Sequence, residues 1–186
     1  MVSLRGEKHV TSIALIGYRG TGKSTVGSLL AERLGWRFVD TDRLIESAQG
    51  ESIAAIFARG GEELFRTCET EALASLEKEP QPMVIAGGGG LPLREENRAL
   101  LRRLAPGRIV LLTAAPETIA RRMAADEKST QTRPPLTNLS FEEEIRTVLT
   151  RRTPIYTALA DHTIETEGKS PEGIANRVVQ LLKIRV

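Results

Sequence analysis

The residue types best suited to chemistry stand in one stretch of the chain, Gly17-Tyr18-Arg19-Gly20-Thr21-Gly22-Lys23-Ser24-Thr25. Glycine has no Cβ, so the backbone can turn tightly there and direct successive N–H groups at phosphate oxygens. A helix that opens at Gly22 and Lys23 adds a partial positive charge. Lys23 can then reach the β- and γ-phosphates of a nucleotide, and the Ser24 hydroxyl can ligate Mg²⁺. The stretch therefore predicts a phosphate loop.

The flanking sequence gives this loop the context that it needs. An apolar run at 13–16 leads in and a helix-forming run at 26–34 leads out, as in a strand, loop and helix that bind phosphate. A glycine-rich turn that binds nothing is the alternative. We expect ATP and Mg²⁺ as cofactors. The residues that hold the phosphates are then Gly20, Thr21, Gly22, Lys23, Ser24 and Thr25.

Two carboxylates follow the next candidate strand. Residues 35–39 form a turn and a short strand that ends on Asp40-Thr41-Asp42, and open α/β sheets bind ligands at the carboxyl ends of their strands. The later strand at 83–86 runs into glycines and supplies no Walker-B acid. We therefore assign Asp40, together with Ser24, to the metal.

Asp42 has a different expected role. In an extended segment it projects to the same side as Asp40, so it can accept a hydrogen bond from an acceptor hydroxyl or take its proton. The alternative is that Asp42 caps a helix that begins at Arg43.

Arg66 and the glycines at 88–90 predict a wall that recognises an anion. A guanidinium binds a carboxylate through two parallel hydrogen bonds, and backbone without side chains can approach a small ligand closely. For Arg66 considered alone, a charge on the surface of a helix is an equally good interpretation.

Composition sets the broader limits. The chain has 186 residues, of which 40% are apolar and 27% charged, with a net charge of +2. These values suit one globular domain, residues 1–186. There is no basic block or aromatic stripe for nucleic acid and no apolar stretch long enough to span a membrane. The single cysteine, Cys68, excludes an internal disulfide and a cysteine metal cluster. We expect a cytoplasmic monomer that binds neither nucleic acid nor membrane.

Segments typical of strands and of helices alternate along the chain, which predicts an α/β fold of three layers, α/β/α, with a five-stranded parallel sheet. A helix break is expected at Gly60-Gly61, and a further helical turn is expected from Thr153 to Ala160. The expected strands are 13–16, 35–39, 83–86, 108–112 and 163–166, and the expected helices are 26–34, 43–48, 52–58, 62–78, 93–104, 116–123, 140–152 and 171–184.

Residues 126–138 interrupt this pattern. They lack helical or strand periodicity, are mostly polar and include Pro134 and Pro135. Long loops of this kind are commonly functional lids. We therefore predict a mobile lid over the site.

Taken together, these motifs resemble the shikimate kinase family, in the nucleoside-monophosphate-kinase-like branch of P-loop NTPase folds. The resemblance runs from about 12 to 182. The glycine run has four members where the family usually has three. The matching motifs are the phosphate loop at 17–25, Asp-Thr-Asp at 40–42, Gly-Glu-Glu-Leu-Phe-Arg at 61–66 with Glu69, the glycines at 87–90, Arg-Pro at 133–134 and Arg-Arg-Thr-Pro-Ile-Tyr at 151–156.

The resemblance implies ATP-dependent phosphorylation of the 3-hydroxyl of shikimate, a step toward the aromatic amino acids. It makes Lys23, Asp42 and Arg133 the catalytic residues, with Arg133 reaching the phosphates from the lid. It implies that Glu69 braces Arg66. The residues implied for shikimate are Asp42, Phe65, Arg66, Gly88, Gly89 and Arg152, and those beside the adenine are Arg122, Lys169 and Pro171.

Two other functions stay open at this point. Another small-molecule kinase of the same branch, such as a gluconate kinase, shares the nucleotide cradle and the lid, but the paired aspartates and Phe65-Arg66 argue against it. A non-catalytic shikimate sensor would have lost Lys23, Asp42 or a lid arginine, and this chain retains all of them.

Overall fold

The structure is a computed structural model that describes residues 11–125 and 141–184. Five parallel strands form one sheet in the order β2-β3-β1-β4-β5. Helices pack on both of its faces, so the predicted three-layer α/β/α architecture is confirmed. The strands are β1 (Ile13–Ile16), β2 (Arg37–Asp40), β3 (Met83–Ala86), β4 (Ile109–Thr113) and β5 (His162–Glu165).

Seven α-helices lie in these two ranges, together with short 3₁₀ helices at Leu76–Lys78 and Leu91–Leu93. None of the described helices is long and apolar enough to cross a membrane. The α-helices are α1 (Lys23–Leu34), α2 (Thr41–Gln49), α3 (Ile53–Ser75), α4 (Glu95–Leu104), α5 (Pro116–Ala125), α6 (Phe141–Leu159) and α7 (Pro171–Leu181).

Several helix boundaries differ from the prediction by a few residues, and two of these differences have a clear physical cause. Helix α2 begins at Thr41 rather than Arg43 because Asp40 caps it. Helix α6 continues through Pro154 to Leu159 instead of ending near 152. A proline in a helix removes one backbone hydrogen bond, but the buried side chains of Tyr156 and Leu159 hold the last turns against the core. The break expected near Gly61 is confirmed as a kink within α3, where Gly61 has φ 67° and ψ −164°.

The sheet is buried on both faces because its strands alternate between two cores. In β1, Ile13 and Leu15 pack with α1 and α7, whereas Ala14 and Ile16 pack with α4 and α6. A central parallel strand is therefore apolar on both sides, which explains the uninterrupted apolar runs in the sequence.

The carboxyl ends of β1, β2 and β3 lie side by side. The strand register pairs Leu15 with Ala86 and Ala86 with Asp40. The phosphate loop, the carboxylates and the glycine run therefore leave the sheet at one level. In addition, β1 has β3 on one side and β4 on the other, and α/β sheets bind ligands at such a switch in strand order.

Candidate active site

The phosphate loop is organised around one carbonyl. The backbone N–H and the hydroxyl of Thr21 both donate to the carbonyl oxygen of Tyr18, at 3.4 and 2.7 Å. Helix α1 starts immediately afterwards, at Lys23, and no side chain among the described residues caps it. The N–H groups of its first turn are thus available to an anion.

Lys23 is nearly buried, with 8% of its surface exposed. Its Nζ donates to the same Tyr18 carbonyl at 2.7 Å. The ammonium is therefore held against the loop, and a fixed charge of this kind is what preorganised electrostatic stabilisation requires.

Ser24 and Asp40, the predicted metal ligands, are in contact. The Ser24 hydroxyl donates to Asp40 Oδ2 at 2.7 Å. Asp40 Oδ1 accepts the backbone N–H groups of Asp42 and Arg43 at 3.1 and 3.3 Å. The helix cap considered for Asp42 is thus provided by Asp40. Asp42 lies instead in the first turn of α2, so the prediction that it follows Asp40 in an extended segment is wrong. The carboxylates of Asp40 and Asp42 nevertheless line the same cavity.

The glycine run is packed against functional side chains. A Cβ at Gly88 would lie 2.7 Å from Oδ1 of Asp42 and 3.1 Å from Oε1 of Glu69, and one at Gly90 would lie 2.3 Å from Nη1 of Arg66. A side chain at Gly88 or Gly90 would therefore push Asp42 or Arg66 out of its present position, and glycine leaves that space free. The Gly88 N–H donates to the Thr41 hydroxyl at 2.8 Å, which fixes the run next to α2.

Arg66 is enclosed, with 9% of its side chain exposed, so the surface-charge interpretation is wrong. Its Nη1 donates to Glu69 Oε2 at 2.5 Å, and its Nε and Nη2 donate to Glu62 Oε1 at 3.2 and 2.9 Å. Burial acts to lower the pKa of Arg66, but the charges and hydrogen bonds of Glu69 and Glu62 outweigh it and raise that pKa. The contact expected between Glu69 and Arg66 is present.

Phe65 and Arg152, two residues predicted to hold the substrate, differ in burial, because Arg152 is only partly buried. The Phe65 side chain is fully buried and its ring stacks on that of Phe57, with centroids 4.8 Å apart. Arg152 donates from Nη1 to the Gly89 carbonyl at 3.2 Å. Their contact with substrate stays a prediction.

Sequence reasoning gave no role to Tyr156, which contacts the glycine run. Its hydroxyl donates to the Gly89 carbonyl at 2.5 Å, beside the bond from Arg152. Burial raises the pKa of Tyr156, while the neighbouring Arg152 charge acts to lower it. The sequence feature that could have indicated this role is the spacing of Tyr156 from Arg152, since residues four apart share one face of a helix.

A second overlooked contact joins the phosphate loop to α6. Arg19 Nη2 lies 3.3 Å from Oε1 of Glu144, whose side chain is 3% exposed. The guanidinium carbon of Arg19 also lies 5.7 Å from the centre of the Tyr18 ring. Nothing local in the sequence indicates this pair, because its members are 125 positions apart.

Arg122, one of the predicted adenine residues, contacts the phosphate loop. Arg122 donates to the Gly20 carbonyl at 3.3 Å and to the Thr166 hydroxyl and carbonyl at 2.9 and 3.0 Å. Lys169 donates to the Glu165 carbonyl at 2.7 Å. Arg133 and the lid at 126–138 lie outside the described residues.

One open cavity of about 830 Å³ brings many of these groups together. Phe65, Arg66 and Arg152 are not part of its wall. The predicted site residues that line it are Gly20, Thr21, Gly22, Lys23, Ser24, Thr25, Asp40, Asp42, Gly88, Gly89, Arg122, Lys169 and Pro171.

The strand order, the phosphate loop and this cavity define a P-loop kinase. The sequence model of the shikimate kinase family matches residues 19–183. The shikimate kinase of Thermodesulfovibrio yellowstonii is 41% identical over 169 residues, which cover 91% of this chain and 93% of the relative. That of Moorella thermoacetica is 42% identical over 172 residues, covering 92% and 94%. The chain belongs to the shikimate kinase family.

Comparison with solved structures supports the same family assignment. The shikimate kinase from Acinetobacter baumannii in complex with shikimate superposes with a TM-score of 0.84 and 35% identity, covering 94% of this chain and 93% of that one. A gluconokinase from Sinorhizobium meliloti has a TM-score of 0.58 and 19% identity, so its likeness concerns the fold alone.

Proposed function

We propose that this protein is an ATP-dependent kinase that phosphorylates the 3-hydroxyl of shikimate, giving shikimate 3-phosphate and ADP on the route to the aromatic amino acids. The observation that carries the proposal is the position of Asp42. Its carboxylate lines the same cavity as Lys23 and Ser24 and lies against Gly88 at the acceptor wall. A carboxylate there would be near both the phosphates held by Lys23 and a small acceptor held beside Gly88.

The donor half of the reaction is assigned to the phosphate loop. The loop N–H groups and Lys23 would bind the β- and γ-phosphates of ATP, which supplies the transferred phosphoryl group. Ser24 and Asp40 are hard oxygen donors in contact with each other, which fits Mg²⁺. We assign these two residues to the metal.

The acceptor half is assigned to Asp42 and the residues beside it. The 3-hydroxyl oxygen forms a bond to the γ-phosphorus as the bond from that phosphorus to the ADP oxygen breaks. The hydroxyl proton passes to Asp42, which also orients the hydroxyl. Arg66 and Arg152 would bind the shikimate carboxylate, with the backbone of Gly88 and Gly89 and the ring of Phe65 alongside.

The remaining predicted contacts complete the nucleotide site. Arg133, from 126–138, would neutralise charge on the transferring phosphoryl group. Arg122, Lys169 and Pro171 would flank the adenine. We also propose that the protein is a cytoplasmic monomer with no nucleic-acid or membrane partner.

An assay of ADP release tests this function. With ATP and Mg²⁺, release should depend on shikimate, and removal of Mg²⁺ with EDTA should abolish it. Gluconate, offered at the same concentration, should give no release above the rate without acceptor. ADP release that is as fast with gluconate as with shikimate would contradict the assignment. So would release at a rate that neither acceptor changes.

A further inference from the structure

The guanidinium of Arg66 has two carboxylate partners that differ in burial. The side chain of Glu69, which bonds Nη1, is fully buried. The side chain of Glu62, which accepts from Nε and Nη2 at 3.2 and 2.9 Å, is 64% exposed. One edge of the guanidinium is therefore held from the interior and the other from the surface.

Only the carboxylate at the surface edge of the guanidinium can be replaced by another carboxylate. On the interior side, the side chain of Glu69 is fully buried, so water could not solvate its carboxylate if it moved away from Arg66. The Nε and Nη2 edge offers two parallel N–H groups, the arrangement that a carboxylate prefers. Glu62 occupies this edge, and because its side chain is exposed, water can solvate it when it moves away.

We propose that Glu62 sets the affinity for the acceptor by competing with the acceptor's carboxylate for the Nε and Nη2 edge of Arg66. The inference rests on the proposed function, in which Arg66 binds the carboxylate of shikimate. Before shikimate binds, Glu62 keeps this edge hydrogen-bonded. Binding then replaces one carboxylate with another, so part of the new interaction is offset by the lost one.

The competition has an unusual consequence, because removing a polar contact strengthens binding. Ion pairs with an exposed partner are weak, so Glu62→Gln should lower the Kd for shikimate by roughly two- to fivefold. A residue that merely supports the fold would raise this Kd or leave it unchanged. Isothermal titration of the full-length chain with shikimate measures the effect directly.

The neighbouring residue provides a matched control. Glu63 carries the same charge, its side chain is 86% exposed and it pairs with Arg94 rather than Arg66. Glu63→Gln therefore removes one negative charge next to the same site without freeing Arg66. Its Kd for shikimate should stay within about 1.5-fold of the parent, because an exposed charge acts only weakly through solvent.

A neutral ligand separates competition from a change of shape. The carboxamide of shikimate has no carboxylate to displace Glu62, so Glu62→Gln should not tighten its binding. If circular dichroism shows that Glu62→Gln does not fold, Glu62→Asp replaces it in the same binding measurement. It keeps the charge, shortens the reach by one methylene, and should also lower the Kd for shikimate.

Several results would overturn the inference. They are an unchanged or higher Kd in the Glu62 variant, an equal gain in Glu63→Gln, and an equal gain for the carboxamide. The proposed function fails in a different way, through a parent protein that releases no ADP in response to shikimate. The two failures are therefore distinguishable.

Discussion

Lys23, Ser24 and Arg66 all have partners inside the protein before any ligand binds. Lys23 donates to the Tyr18 carbonyl, Ser24 to Asp40, and Arg66 to Glu69. Each side chain is therefore held in place by the protein itself, as the proposed function requires. Preorganised charges of this kind stabilise a transition state with little reorganisation at the moment of reaction.

Lys23→Met tests the proposed role of Lys23 in binding the phosphates of ATP. The change keeps much of the stem but deletes the charge expected on the β- and γ-phosphates. Turnover should fall by roughly three orders of magnitude, which corresponds to about 4 kcal/mol of lost transition-state stabilisation. Steady-state ADP release with shikimate is the measurement. Lys78→Met, an exposed lysine outside the cavity, should retain parental turnover, and a Lys23 variant within tenfold of the parent would refute the assignment.

Arg66→Lys and Asp42→Asn separate binding from chemistry on the acceptor side. The lysine keeps the charge but loses the two parallel N–H groups, so the KM for shikimate should rise more than kcat falls. The asparagine cannot take a proton, so kcat should fall on the order of a hundredfold or more. Initial rates over a range of shikimate concentrations give both constants. Small and equal effects of the two changes would mean that neither residue faces the substrate.

At the scale of elements, α6 connects the two halves of the site. Its first turn reaches the phosphate loop through Glu144 and Arg19. About two and three turns later, Arg152 and Tyr156 both donate to the carbonyl of Gly89. One helix therefore fixes the phosphate loop and the glycine run relative to each other, a spacing on which phosphoryl transfer depends in the proposed function.

Arg19→Met tests this connection through stability. Arg19→Met leaves Glu144, a buried carboxylate, without its partner in the phosphate loop. This should lower the free energy of unfolding by about 2 to 3 kcal/mol. Urea denaturation measures the loss. The control is Arg146→Met, on the same helix, whose pair with Glu117 is about half exposed and should contribute less than about 1 kcal/mol.

The double variant Arg19→Met with Glu144→Gln completes this test. Removing the buried charge as well should recover part of the lost stability, because the neutral amide is cheaper to bury. If Arg19→Met and Arg146→Met prove equally mild, the contact does not hold α6 to the loop.

At the scale of the whole molecule, the sheet joins two cores into one structure. Val84, Val110 and Leu112 pack on the side of α1 and α7, while Ile85 and Leu111 pack on the side of α4 and α6. Each central strand thus contributes to both cores. Neither core can lose its packing without exposing the strands that form the other.

Scanning calorimetry tests the single domain predicted from the sequence. Because the two cores share their strands, the chain should unfold in one transition, with equal calorimetric and van't Hoff enthalpies. ATP with Mg²⁺, and shikimate, should each raise the Tm of that same transition, since both bind only the folded state. Two separate transitions, of which a ligand shifts only one, would divide the chain into two units.

The sequence alone determined the chemistry that is local in the chain. The phosphate loop needs only nine consecutive residues between a strand and a helix, so its pattern can be read directly. The three central strands were also predictable, because a buried parallel strand is apolar at nearly every position. Their alternation with helices leaves few arrangements other than a three-layer parallel fold.

Only the tertiary structure decided how distant residues divide the work. It made Asp40 the cap of α2, which the spacing alone could not distinguish from Asp42. It paired Arg19 with Glu144 across 125 positions and placed Gly90 against Arg66. Such contacts depend on the distances between packed elements, which no local pattern records. The sequence therefore specified which groups are present, and packing specified which of them meet.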